Sequence, residues 1–304
     1  MGFRRLLALA LLSLMLMASG SPRAQRLVIA QTWEPIALDP LLLTDAPAEQ
    51  IGGLLFSYLV RIDARGRLVP DLASRVPSLA NGDIAADQCS IVYHLRRDVR
   101  WHDGARFTAR DVIATYRAVM DARNPVPTRL GYDRIVALET PDDATLRVRL
   151  RKPFAPFLTY FFEPESYPVL PAHIVTRTPD LRSSSLSTVP VGTGPYRFVR
   201  WDRGNELVLA ANPAYYGGAP RIAELTIRFV SNVQSIATEL ETGEADAYLG
   251  ADPALVARIR SNPRVRMTPL PIYGFTSLTF QTRDPALRDA RVRAAVAATF
   301  ALER

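Results

Sequence analysis

VGTGPYRFVRWDRGNELVLAANPAYYGG, residues 191–218, reads in two incompatible ways, and the choice between them sets the fold. As a phosphate loop, GTGPYR would need a third glycine three residues after Gly194 and a helix to follow it. Position 197 is Arg, and Pro195 opens an extended run. The alternative fits: YRFVRW and NELVLAAN are two strands, and DRG joins them as a tight hairpin in which Gly204 supplies the positive φ. The stretch is therefore scaffold, with its glycines serving a close backbone path.

Working outward, RLVIAQ (26–31) is a short apolar strand, and residues 48–58 repeat apolar side chains at helical spacing. SIVYHLR alternates as a strand with one buried face. Thr108 stands at a helix N-cap with Asp111 three residues on, a short capping box for a helix running to about Met120. RIVALET and ATLRVRL form a further strand pair about the turn PDD, with Leu146, Val148 and Leu150 on one face and Arg147, Arg149 and Arg151 on the other. The aromatics from Phe154 to Phe162 fall partly at helical spacing and read either as core or as the lining of a cleft. After the hairpin come the strand IAELTIRFV, a helix over 233–241 closed by Gly243, the strand ADAYLG, the helix PALVARIR and strands at RVRMTPL and YGFTSLTFQ. Strands alternating with helices predict a mixed α/β architecture, and no internal repeat points to a solenoid.

The N-terminus carries Arg4 and Arg5, an apolar run over 6–17 and the small residues Ala18, Ser19 and Gly20. That order predicts a secretory signal peptide over 1–24, too short to span a bilayer. The single cysteine, Cys89, excludes an intrachain disulfide, and no cysteine follows the apolar run to take a lipid. We therefore expect a periplasmic protein that is not a lipoprotein. Net charge is +7, which falls to +4 without the three arginines Arg4, Arg5 and Arg23. The remaining arginines are scattered, so nucleic-acid binding is not implied.

Catalytic signatures are missing from the pattern. There is no Gly-x-Ser-x-Gly, and Cys89 lies in a strand where a thiol is inert. His94, His102 and His173 show no metal spacing, and Asp103-Gly104 beside His102 is a turn dipeptide. No cofactor or metal is implied, and the profile suits binding better than turnover, so we expect a non-enzyme.

The ordered series LDPLLLTD, GRLVPDLA, IVYHLRRDVRWHDGARFTARDVIATYRAVMD, LRKPFAPFL, VGTGPYRFVRW, NPAYYGG and ETGEADAY resembles the extracytoplasmic solute-binding proteins of peptide-type ABC transporters, the dipeptide- and oligopeptide-binding family. LTFQTRDPALRDARVRAAVAATFALER resembles the stretch with which that family enters its second lobe; Gln281 departs from the family's usual asparagine. The resemblance implies a periplasmic-binding-protein-like two-lobed fold of the class with an extra subdomain in lobe I. It places the lobe I sheet in 25–61 and 172–270, the inserted subdomain in 62–171, and an incomplete start of lobe II in 271–304, so that the chain reads as a C-terminally truncated fragment. It further implies capture of a peptide, or of a nickel complex, haem, opine or sugar, by a monomer that delivers it to a membrane permease and its ATPase, with ligand sensing as an alternative role. Cleft contacts are expected from Thr44 and Asp45 in the first loop, from the aromatics Tyr160 and Phe162, and from Tyr273 and Phe275 near the crossing between lobes. A secreted hydrolase on the same scaffold is the competing class.

Overall fold

The computed structural model describes residues 26–42, 46–162, 166–178, 180–250, 252–268 and 278–299. The expected signal segment lies outside them. The chain divides into two units, Met1–Val265 and Arg266–Arg304.

In the first unit, β1 (Arg26–Gln31) leads to α1 (Ala46–Leu55), the short hairpin of β2 (Val60–Ile62) and β3 (Leu68–Pro70), and β4 (Ser90–His94). The helix α2 (Ala109–Met120) and the strands β5 (Ile135–Asp142) and β6 (Thr145–Leu150) follow, then the one-turn helix α3 (Ala172–Val175). β7 (Tyr196–Asp202), β8 (Glu206–Ala211), β9 (Glu224–Phe229), α4 (Val233–Thr242), β10 (Ala247–Tyr248) and α5 (Pro253–Ile259) complete it. The second unit holds α6 (Pro285–Arg288) and α7 (Ala290–Thr299). α7 buries no residue.

A five-stranded sheet has the order β10-β1-β9-β8-β7, and a three-stranded sheet has the order β4-β6-β5. β1 runs parallel to both β9 and β10, whereas β7, β8 and β9 form an antiparallel meander. The large sheet is covered on both faces, which is why the middle of β1, Leu27 to Ala30, is an unbroken apolar run. Val28 and Ala30 pack with Ile236, Ala237, Leu255 and Ile259 of α4 and α5. Leu207, Leu209, Leu225 and Ile227 join a second, larger core, which continues without a break through Leu55 and Phe56 into Tyr93, Trp101, Leu146 and Val148 of the small sheet.

The hairpin forms as its sequence demands, with Gly204 at φ +76°. The helix α2 starts as read: Thr108 N donates to Asp111 Oδ2 at 2.7 Å. Two readings change. The aromatic run yields only a 3-10 turn, Ala155–Thr159, since Phe162 at φ +52° takes the chain off the helical path. RVRMTPL is irregular where it is described, over 264–268, and has no ladder partner among the described residues; YGFTSLTFQ is described only from Leu278, where it too is irregular.

The two sheets meet at the start of the opening stretch. Gly194 N donates to Leu55 O at 2.9 Å. A Cβ on Gly192 would lie 1.9 Å from that same carbonyl oxygen, closer than any real contact. His102 closes the junction from the small-sheet side: its Nδ1 accepts from Gly192 N at 3.1 Å, and its Nε2 lies 3.1 Å from Gly194 O, which sets the neutral Nε2–H tautomer. Burial holds the His102 pKa down at about 4.

Two predictions follow from this junction. Gly192→Ala should destabilise the protein by about 2–4 kcal/mol, because backbone and not a movable side chain stands in the way; urea melts check this. For His102 the folded pKa lies below the unfolded value, so its contribution is complete above the unfolded pKa and is lost as pH falls toward 4. Thermal melts across that window should fall more steeply for the wild type than for His102→Gln, and parallel curves would refute the assignment.

Candidate binding site at the carboxyl edge of the sheet

Because β1, β9 and β10 are parallel, their carboxyl ends open on one edge of the sheet, where open α/β folds place their ligand crevices. A cavity of about 660 Å³ lies there, lined by Thr32, Trp33, Glu34, Phe229, Tyr248 and Asp252 among others. Strand polarity brings the β7–β8 hairpin turn to the same edge, since Asp202 pairs with Glu206 beside Arg228.

That turn holds the first loop in place. Glu34 Oε1 accepts from Trp201 Nε1 at 2.9 Å, and Gly204 N donates to both carboxylate oxygens at 3.1 and 3.0 Å. Arg203 stacks its guanidinium 3.4 Å from the centre of the Trp201 ring and donates to Pro35 O and Ile36 O. These polar ties fix backbone whose apolar side chains are left in solvent. Trp33 is 72% exposed and Ile36 is 84% exposed. Leu249, just past β10, is also exposed. A tryptophan held in water by its neighbours' hydrogen bonds gains by meeting a partner.

The site's polar groups are few. Asp252 caps α5, accepting from Ala254 N and Leu255 N. Gln31 Nε2, at the end of β1, is buried with no acceptor. Deeper along the loop, burial pushes the Asp39 carboxyl up to about 7; its Oδ1 accepts from Leu41 N at 3.0 Å and its Oδ2 has no partner. Among the described residues no group of three His, Cys, Asp or Glu side chains could hold a metal ion, and no helix is long and apolar enough to cross a membrane.

Of the six contacts expected from sequence, Thr44, Asp45, Tyr273 and Phe275 lie outside the described residues. Tyr160 is half-buried with its ring 5.7 Å from Phe154. Phe162 is wholly buried, edge-on to Tyr132 at 5.3 Å and against Phe161 at 4.6 Å. Neither lines the carboxyl-edge cavity. Sequence reading passed over Trp33, Glu34 and Tyr248. The available signal was positional: Trp33 and Glu34 lie two and three residues past the strand's last residue, Gln31.

A family model described as bacterial extracellular solute-binding proteins, family 5 Middle, matches residues 67–300. The chain belongs to this family. Its periplasmic-binding-protein fold is borne out by a TM-score of 0.69 to NikZ from Campylobacter jejuni, solved in complex with Ni(L-His). That protein is 29% identical, with 80% of this chain and 46% of that one covered. Among curated relatives, Protein XP55 of Streptomyces lividans is 29% identical over 91% of this chain and 48% of its own length. The oligopeptide-binding protein AppA of Bacillus subtilis is 25% identical over 91% of this chain and 50% of its own. The family 5 chain thus spans about half the length of the curated relatives it matches.

Two substitutions separate the site's frame from its surface. Glu34→Ala strands Trp201 Nε1 and Gly204 N and should cost about 1–2 kcal/mol in chemical melts, whereas Trp33→Ala should change stability by less than about 0.5 kcal/mol. Asp39 carries the opposite pH dependence to His102. Its raised pKa means stability that is complete below the unfolded value of 3.8 and is lost as pH rises through 7. Asp39→Asn keeps an acceptor for Leu41 N, and its advantage over the wild type should grow in melts as pH rises from about 4 to about 7 and level off above.

Proposed function

We propose that this chain supplies the first-lobe wall of a periplasmic binding protein that captures a small solute, peptides foremost, and delivers it to an ABC permease and its ATPase. The observation that carries the reading is the carboxyl-edge cavity, where Trp33 is presented to solvent by the Glu34 and Arg203 ties in a chain of this family. Peptides come first because a relative covering 91% of the chain is named for oligopeptide binding.

A wall of this kind works by differential contact. A solute touching it and an opposing lobe stabilises the closed arrangement over the open one. On this reading the small sheet is the inserted subdomain of lobe I, residues 271–304 begin lobe II, and Thr44, Asp45, Tyr273 and Phe275 remain proposed contacts. Export by the N-terminal segment, without lipid attachment, and action as a monomer belong to the same proposal. Binding without turnover fits a cavity whose two carboxylates are engaged by backbone and indole N–H donors.

A nickel–amino-acid chelate is the second reading, favoured by the neighbour solved with Ni(L-His). With no converging donor set among the described residues, such a metal would arrive already chelated.

The test is native mass spectrometry of the product of the whole gene against a mixed peptide pool and against Ni(L-His). Peptide adducts, with affinity weakened about tenfold or more by Trp33→Ala, are expected. Adducts with the chelate alone would replace the first reading by the second. Peptide cleavage that one substitution abolishes would replace both by the hydrolase.

A further inference from the structure

The carboxyl-edge cavity is one-sided in charge. Glu34 and Asp252 line it, and among the described residues that line it there is no Lys, Arg or His. The hydrogen bonds that hold the two carboxylates come from neutral donors: the Trp201 indole and Gly204 N for Glu34, Ala254 N and Leu255 N for Asp252. Both bonds to Asp252 fall on Oδ1, so among the described residues Oδ2 has no hydrogen-bond donor. A neutral donor fixes a carboxylate without cancelling its charge. The cation beside Glu34 is Arg203, 4.0 Å from Oε1. Its guanidinium is committed elsewhere, over the Trp201 ring and donating to Pro35 O and Ile36 O.

Helix N-termini at such an edge draw anions when their N–H groups are open. Here they are closed. At α4, Asn232 Oδ1 accepts from Gln234 N at 2.8 Å, and the Asn232 carbonyl accepts from Ser235 N and Ile236 N. At α5 the cap is Asp252 itself, which already stands where an anion would sit. An incoming carboxylate therefore meets two like charges and occupied helix ends.

The amino edge of the same sheet is the contrast. There β7 begins and β8 ends, since Tyr196 pairs with Ala211, and Pro195 and Tyr215 line a cavity of about 470 Å³. That cavity holds its own cation: Arg61 lines it, and the Arg61 charge acts on the buried Asp71 carboxylate. The carboxyl-edge cavity has no such partner, and beside its acids it offers aromatic surface from Trp33, Phe229 and Tyr248. Ring faces attract cations, that of tryptophan most strongly. The Thr32 and Ser231 hydroxyls, which also line the cavity, can give or take a hydrogen bond and so favour neither sign. The wall suits a group that is positively charged and donates hydrogen bonds.

We propose that the solute taken at this cavity is a cationic peptide, whose lysine or arginine side chain reaches Glu34 and Asp252 beside the face of Trp33. The inference rests on the reading of this cavity as the first-lobe wall, and adds the sign of the charge that the wall selects.

Native mass spectrometry of the product of the whole gene tests it with alanine peptides of two to five residues that carry one lysine, norleucine or glutamate, placed at each position in turn. Norleucine keeps the aliphatic stem of lysine and lacks its charge. At the best position the lysine peptide should bind about tenfold more tightly than its norleucine counterpart, and the glutamate peptide should bind most weakly. Glu34→Gln and Asp252→Asn should each reduce the lysine-to-norleucine ratio about threefold or more. Each keeps an amide oxygen for the N–H groups that the carboxylate holds, so the frame is retained, which melts verify. Lysine peptides that bind no better than norleucine peptides at every position overturn the inference and leave peptide capture standing. A lysine preference that survives both substitutions also overturns it, because the charge is then read elsewhere. Failure of every peptide in the series to bind removes peptide capture and this inference together.

Discussion

The structure depends on one contact between backbones. At Gly192 and Gly194 the chain returns from the small sheet to the large one by passing directly over the Leu55 carbonyl, at a distance that no side chain permits. Everything downstream takes its position from this crossing: β7 starts two residues later, β8 is its hairpin partner, and β9 and β1 follow in register. His102 secures the crossing as a neutral imidazole, one nitrogen accepting and the other facing a carbonyl. Because those bonds are made to backbone atoms inside the shared core, the two sheets fold as one apolar body and not as beads on a linker.

Strand polarity then divides the large sheet into two working edges. Three parallel carboxyl ends meet on one edge, and the antiparallel meander brings the β7–β8 turn there as well. Its residues restrain the first loop through Glu34 and Arg203, so the loop presents Trp33 without burying it. On the amino edge the same meander leaves Pro195 and Tyr215 beside α1 and β2. One topological arrangement thus creates two cavities of different chemistry, one with an exposed indole and the other over the buried Asp71 carboxylate.

Much of this was legible along the chain. The period-two run at 145–150 and the short apolar runs at 26–31 and 206–211 read as strands, the Thr108–Asp111 pair marked a helix start, and Gly204 marked a hairpin. The family series was legible too, because its motifs are local patterns of turn and strand chemistry. The cleft residues were harder. Aromatic density drew attention to the 154–162 run, but Phe162 serves the core, packed edge-on to Tyr132 and tilted against Phe161. Trp33 stood alone in a proline-rich loop, with nothing nearby in sequence to separate a buried tryptophan from an exposed one.

The sequence by itself determined the elements, their order, and membership of the solute-binding family, since periodicity, caps and turn residues act within a few positions of one another. Only the tertiary structure decided which aromatic faces water and which histidine staples two sheets. Those outcomes rest on contacts between residues 90 to 170 positions apart, such as His102 with Gly192 and Glu34 with Gly204. Burial and polarity at such points are properties of the packed whole, and no local pattern encodes them.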